Sequence, residues 1–130
     1  MYRRDGAIDK KGKRFYHPIE QSSQKAIIEL QEKKLREQMV YLSKNSPFYQ
    51  QKFSQAGIEF SSIKTLKDLA NVPFTVKQDL RDSLNAAPPF GLHCAADVEN
   101  IIQMQASSGT TGNPAYVALT ENDVEVWNEL

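Results

Sequence analysis

The stretch Ser107-Ser108-Gly109-Thr110-Thr111-Gly112-Asn113-Pro114 constrains this chain more than any other. Its first six residues are only Ser, Gly and Thr, and apolar runs at 101–106 and 115–119 flank it. Runs of that length and composition read as strands, the second running back after the loop. In the first, Ile102, Met104 and Ala106 alternate onto one face. The loop between them is built to approach a ligand closely. Glycines permit φ > 0 and bring bare backbone near a partner. Successive backbone N–H groups then form a concave anion site, and Ser and Thr hydroxyls add donors. The composition alone also fits an ordinary turn, because turns favour the same residues.

Composition narrows the surroundings of this unit. A chain of 130 residues is one domain at most, or a piece of one. Lys plus Arg balance Asp plus Glu, 16 against 16, so no net basic field points to nucleic acid or an anionic membrane. Only residues 1–21 are locally basic, with Arg3, Arg4, Lys10, Lys11, Lys13 and Arg14, and they read as a solvated, mobile N-terminal arm. No apolar run approaches the ~20 residues of a membrane span, and the N-terminus is too polar for a signal peptide. Cys94 is the single cysteine, which fits a reducing compartment, and the inferred location is the cytoplasm.

Before the loop the chain reads as helical. From about Ser22 to Ser43, Ile28, Leu35, Met39 and Leu42 recur at helical spacing and share one face. Ser46-Pro47 reads as an N-cap and first helical residue, with Phe48, Tyr49 and Phe53 on the buried side and Gly57 as the stop. Thr65-Leu66-Lys67-Asp68 and Thr75-Val76-Lys77-Gln78 read as capping boxes opening short helices near 66–71 and 76–84. Thr120-Glu121-Asn122-Asp123 is a third, opening a helix through Val124 and Trp127, which read as core or interface residues. The expected class is α/β: helices first, then strand, loop, strand and a final helix. Lys77, Asp79, Arg81 and Asp82 read as a solvated helix face. Tyr16, Phe48, Tyr49, Phe53 and Phe60 read as core aromatics.

Other chemistry is weakly represented. His93 and Cys94 are adjacent, but metal sites need spaced ligands and the only other histidine is His17, so both read as packed loop residues. No base is evident to make Cys94 a nucleophile. The glycine loop is not the GxxxxGK[ST] motif, since no Lys follows Gly112 and a strand follows where that motif needs a helix.

The order of residues is more specific than their kind. S-S-G-T-T-G-x-P closely resembles the phosphate loop of the adenylate-forming enzymes. The segment 30–53 is similar to the early helices of the phenylacetate-CoA ligases. The segments Val72-Pro73-Phe74-Thr75-Val76-Lys77-Gln78-Asp79-Leu80-Arg81-Asp82 and Pro89-Phe90-Gly91-Leu92 are similar to signatures of that subfamily. The resemblance covers roughly 24–130. It implies that 22–130 is the incomplete N-terminal segment of an AMP-binding domain. It further implies a two-step reaction, in which a carboxylate attacks the α-phosphate of ATP and coenzyme A thiolate then displaces AMP from the acyl-adenylate. Ser107, Ser108, Gly109, Thr110, Thr111 and Gly112 would hold the β- and γ-phosphates. An aryl carboxylic acid, ATP and CoA are the implied partners, with Mg²⁺ accompanying ATP and no ligand for it nameable here. Members commonly carry Lys where this chain has Asn113, which keeps hydrogen bonding and lacks the charge. The adenine contacts, acid pocket and catalytic lysine of the family lie after the loop, so the chain as written is expected to be inactive. Its uncovered strand edges are expected to drive dimerisation or strand swapping. Two other functions remain open: a short non-enzymatic nucleotide-binding or interaction module, and a ligase that forms an acyl-adenylate without CoA.

Overall fold

The computed structural model describes residues 7–8, 10–12, 14–15, 17–106 and 114–128. Strands β1 (Ala7–Ile8) and β2 (Arg14–Phe15) pair antiparallel, with Ala7 opposite Phe15. A 3₁₀ turn, Pro18–Gln21, follows and is capped from both directions: Ile19 N–H donates to His17 Nδ1 at 3.0 Å, and His17 N–H donates to Glu20 Oε1 at 2.7 Å.

Helix α1 (Gln24–Asn45) starts at Ser23, whose hydroxyl accepts from Ala26 N–H. Its apolar stripe supplies Leu35, Met39 and Leu42 to the core, whereas Ile28, two turns ahead of Leu35, stays exposed. Helix α2 (Pro47–Ala56) follows after one residue. Ser46 is fully buried and its Oγ accepts from Tyr49 N–H, Pro47 occupies the first turn, and Gly57 ends the helix at φ 65°. That left-handed terminus favours a residue without Cβ.

Phe53 is 1% exposed and is the centre of the core. Its ring stacks on Phe60 with centroids 4.1 Å apart, and Met39 and Ile63 close around it. Burying a side chain of that size stabilises by about 1.5–3 kcal/mol. Phe48 and Tyr49 are half-buried beside it. The 3₁₀ turns Phe60–Ser62 and Leu66–Asn71 carry the chain back along α1. Arg36 donates to the Lys64 carbonyl and Leu66 N–H donates to Glu32, so α1's charged face also holds this return. The Thr65 box forms as expected: Asp68 Oδ2 accepts from Lys64 N–H, Thr65 N–H and the Thr65 hydroxyl. These bonds, led by that from Lys64, hold the Asp68 carboxyl below its usual range.

Helix α3 (Lys77–Ala86) begins one residue later than the Thr75 box predicts. Val76 occupies the cap, and Asp79 rather than Gln78 reaches back to its N–H, at 2.9 Å. A carboxylate is the stronger acceptor there, and the Gln78 amide donates instead to Asp82. Asp79 also accepts from Lys52 of α2 at 2.5 Å. The expected solvated face is therefore only partly solvated, since Asp79 and Arg81 are half-buried.

After α3 the chain passes a cis Pro88–Pro89 bond and Gly91, then a 3₁₀ turn at Val98–Asn100. Strand β3 (Ile101–Ala106) pairs antiparallel with β4 (Tyr116–Thr120). The register shifts between Ile101 and Gln103, so Ile102 is an extra residue on β3, a bulge that bends and twists the strand. Helix α4 (Glu121–Asn128) closes the described chain. The Thr120–Asp123 box opens it with reciprocal bonds. Trp127 is 58% exposed and Val124 half-buried, so Trp127 is not a core residue of this segment.

Candidate functional site

The β3–β4 hairpin delivers the two ends of the glycine-rich loop to one place. Ala106 lies opposite Tyr116, and Gln105 opposite Val117. The loop residues Ser107, Ser108, Gly109, Thr110, Thr111 and Gly112, with Asn113, lie outside the described residues. What the structure describes is how their flanks are held.

One flank is anchored by a hub at residues 91–93. Leu92 carbonyl accepts from Phe48 N–H at the start of α2, and Leu92 N–H donates to the Ser83 carbonyl of α3. Ser83 is buried, and its hydroxyl accepts from His93 N–H and pairs with His93 Nδ1, both at 2.9 Å. The other ring nitrogen, Nε2, lies 3.2 Å from the Tyr116 carbonyl at the first residue of β4. A carbonyl only accepts, so Nε2 carries the proton. Nδ1 and the Ser83 hydroxyl complete the ring's second hydrogen bond. This tautomer is assigned by hydrogen-bond logic.

Gly91 explains how the imidazole fits. It is buried at φ 80°, and a Cβ there would lie 2.5 Å from His93 Cε1 and 2.6 Å from Nδ1. The ring lies against bare backbone. His93 is the packed loop residue that the sequence leads one to expect. Ser83 carried no signal, because a serine inside a helical pattern does not announce a partner ten residues on.

A cleft of about 520 Å³ opens beside the hub, lined among others by Tyr41, His93, Cys94, Ala118 and Asp123. Tyr41 donates to the Ala95 carbonyl at 2.7 Å, so α1 also fixes this segment. Cys94 is half-buried, and its thiol faces the Ala96 carbonyl. Among the described residues no group of three or more His, Cys, Asp or Glu side chains is placed to hold a metal ion, and none of them is assigned to Mg²⁺. On the far side of α3, the Lys52 ammonium and then the Val76 amide hold the Asp79 carboxyl below its usual range. Among the described residues no helix is long and apolar enough to cross a membrane.

Known proteins are similar to this chain in sequence and in fold. No family model matches the chain. A phenylacetate-coenzyme A ligase of Pseudomonas putida is 38% identical over 110 residues, 85% of this chain and 24% of that protein. One from Thermus thermophilus is 41% identical over 78% of this chain and 22% of its own length, and one from Escherichia coli is 38% identical over 87% and 25%. The chain belongs to the phenylacetate-CoA ligase family. It spans about a quarter of the length of the curated relatives it matches. The crystal structure of 2-hydroxyisobutyryl-CoA ligase with 2-HIB-AMP and CoA superposes with a TM-score of 0.78 at 29% identity, covering 90% of this chain and 25% of that one. An open conformation of the same ligase gives 0.77 at 27% identity, covering 90% and 27%. The α/β architecture, helices followed by an antiparallel pair and a helix, is thus that of a segment of these ligases.

Proposed function

We propose that this segment belongs to a ligase that activates an aryl carboxylic acid, phenylacetate by family membership, in two steps. A carboxylate oxygen attacks the α-phosphorus of ATP and pyrophosphate leaves. Coenzyme A thiolate then attacks the acyl carbon and AMP leaves. The protein's task is to position reactants and offset negative charge. In this reading the hydroxyls of Ser108, Thr110 and Thr111 and the backbone around Gly109 and Gly112 hold the β- and γ-phosphates. Ser107 begins the loop, and Mg²⁺ accompanies ATP. The observation that carries the reading is the hairpin. A hydroxyl- and glycine-rich loop is mounted on paired strands, in a chain 38–41% identical to proteins named phenylacetate-coenzyme A ligase.

The test uses the full-length protein. Pyrophosphate exchange should require the acid, and thioester should form only with acid, ATP and CoA together. Replacing Thr110 and Thr111 together by Ala should sharply lower exchange, and unchanged exchange would remove the phosphate role. AMP release that ignores CoA would favour an adenylating ligase of another kind. ATP binding without turnover would favour a non-enzymatic module. The same reading puts the protein in the cytoplasm.

We also propose that the isolated segment self-associates. Ile102, Met104, Val117 and Trp127 are exposed on and around a two-stranded sheet with open edges. Sedimentation at rising concentration should show a dimer, and a clean monomer would count against it.

A further inference from the structure

We propose that His93 is a positioning residue for ATP: its Nε2–H grips the Tyr116 carbonyl and so sets where the phosphate loop re-enters β4. This rests on the ligase reading above. The geometry is specific. Tyr116 opens β4 three residues past the last residue of the glycine loop segment at Asn113. Its carbonyl is held by a ring that is itself fixed at its other nitrogen by a buried hydroxyl. Ser83 is in turn part of α3, which Lys52 and Val76 secure through Asp79. The grip therefore connects a rigid helix to the loop's exit through two hydrogen bonds and one flat ring. Gly91 leaves that ring the room to lie there.

Such a residue acts through another and does not touch substrate. Its loss releases the start of β4 and leaves every residue of the loop sequence in place. Donor placement matters most for the ligand whose phosphates they meet, so affinity for ATP should change and affinity for the acid should not.

Two substitutions separate the ring nitrogens. Glutamine places its amide nitrogen where Nε2 lies and can still donate to the Tyr116 carbonyl. Asparagine reaches only as far as Nδ1, so it keeps the Ser83 contact and loses Tyr116. In the full-length protein, KM for ATP should stay within about twofold of the parent in His93→Gln. It should rise roughly three- to tenfold in His93→Asn and His93→Ala, the range of one hydrogen bond. KM for the acid and kcat should change little. Amide hydrogen exchange in the peptide covering 114–120 should stay slow in His93→Gln and quicken in His93→Asn. His93→Asn should melt lower than His93→Gln by no more than one lost hydrogen bond accounts for, and the split between KM for ATP and KM for the acid is the readout that a merely structural contact would not move.

Equal KM for ATP in the Gln and Asn variants, with equal exchange, would overturn the proposal and leave the ligase reading intact. No ATP-dependent turnover in the parent protein would overturn the ligase reading and the ATP role together. The exchange pattern would then decide by itself whether His93 holds β4.

Discussion

Replacing Gly91 by alanine tests the hub most directly. Two costs are expected, and they are separable. Gly91 has φ 80°, and an L-residue held in left-handed backbone costs about 1–2 kcal/mol. The new Cβ would also sit 2.5–2.6 Å from the His93 ring, closer than carbon atoms tolerate. The ring must swing away, and both its hydrogen bonds, to Ser83 and to Tyr116, are lost. Each is worth roughly 0.5–1.5 kcal/mol net. The variant should therefore lose about 2–5 kcal/mol, a large share of the stability of a small domain. In a His93→Ala background the ring and its bonds are already gone, so Gly91→Ala should cost chiefly the backbone part, about 1–2 kcal/mol, beside a 3.2 Å contact with Ser83 Oγ that is common to both backgrounds. Urea titrations of the four proteins, followed by far-ultraviolet circular dichroism at concentrations where the chain is monomeric, give the cycle. A Gly91→Ala cost that is the same with and without the imidazole would refute the argument that the ring lies against Gly91.

Other consequences are more local. Phe53→Ala should destabilise by about 3–5 kcal/mol, because Phe53 is buried between Phe60, Met39 and Ile63; a shift under about 1 kcal/mol in the same titration would contradict a core centred there. Ser46→Ala should cost about 1–2 kcal/mol, toward the upper end for a cap, since Ser46 is fully buried; a melting temperature matching the parent's would argue against the cap. Asp79 bears on acid stability. The Lys52 ammonium and the Val76 amide hold its carboxyl below the ordinary 3.8, so the unfolded chain takes up the proton first as pH falls. This contribution is present in full above about pH 3.8 and is lost as pH drops through the lower folded-state value. Asp79→Asn should lower stability at neutral pH and flatten the acid limb in part, with Asp68 keeping the remainder by the same sign. Equal urea midpoints for parent and variant from pH 7 down to pH 3 would show that the pair contributes nothing.

Local signals made much of this protein legible from sequence. Ser46-Pro47 and Gly57 bracket α2 because a hydroxyl cap, a fixed φ and a missing Cβ act within a few residues. The Thr65 and Thr120 boxes work for the same reason, and the alternating runs around the glycine loop form the paired strands expected of them. The order S-S-G-T-T-G-x-P, with the segments before it, also pointed to the family, since a motif of that kind is carried by neighbours in the chain. Tertiary structure decided the rest. The cap of α3 moved from Thr75 to Val76 with Asp79 as its carboxylate, and Lys52, 27 residues earlier, engages that same oxygen. Ile28 and Trp127 carry the right hydrophobicity for a core and lie exposed, because burial depends on which element arrives opposite. The grip of His93 on Tyr116 spans 23 residues and needs Ser83 from a third element. Hydrogen bonds of that kind are set by packed helices and a twisted hairpin in three dimensions, and no local period in the sequence encodes them.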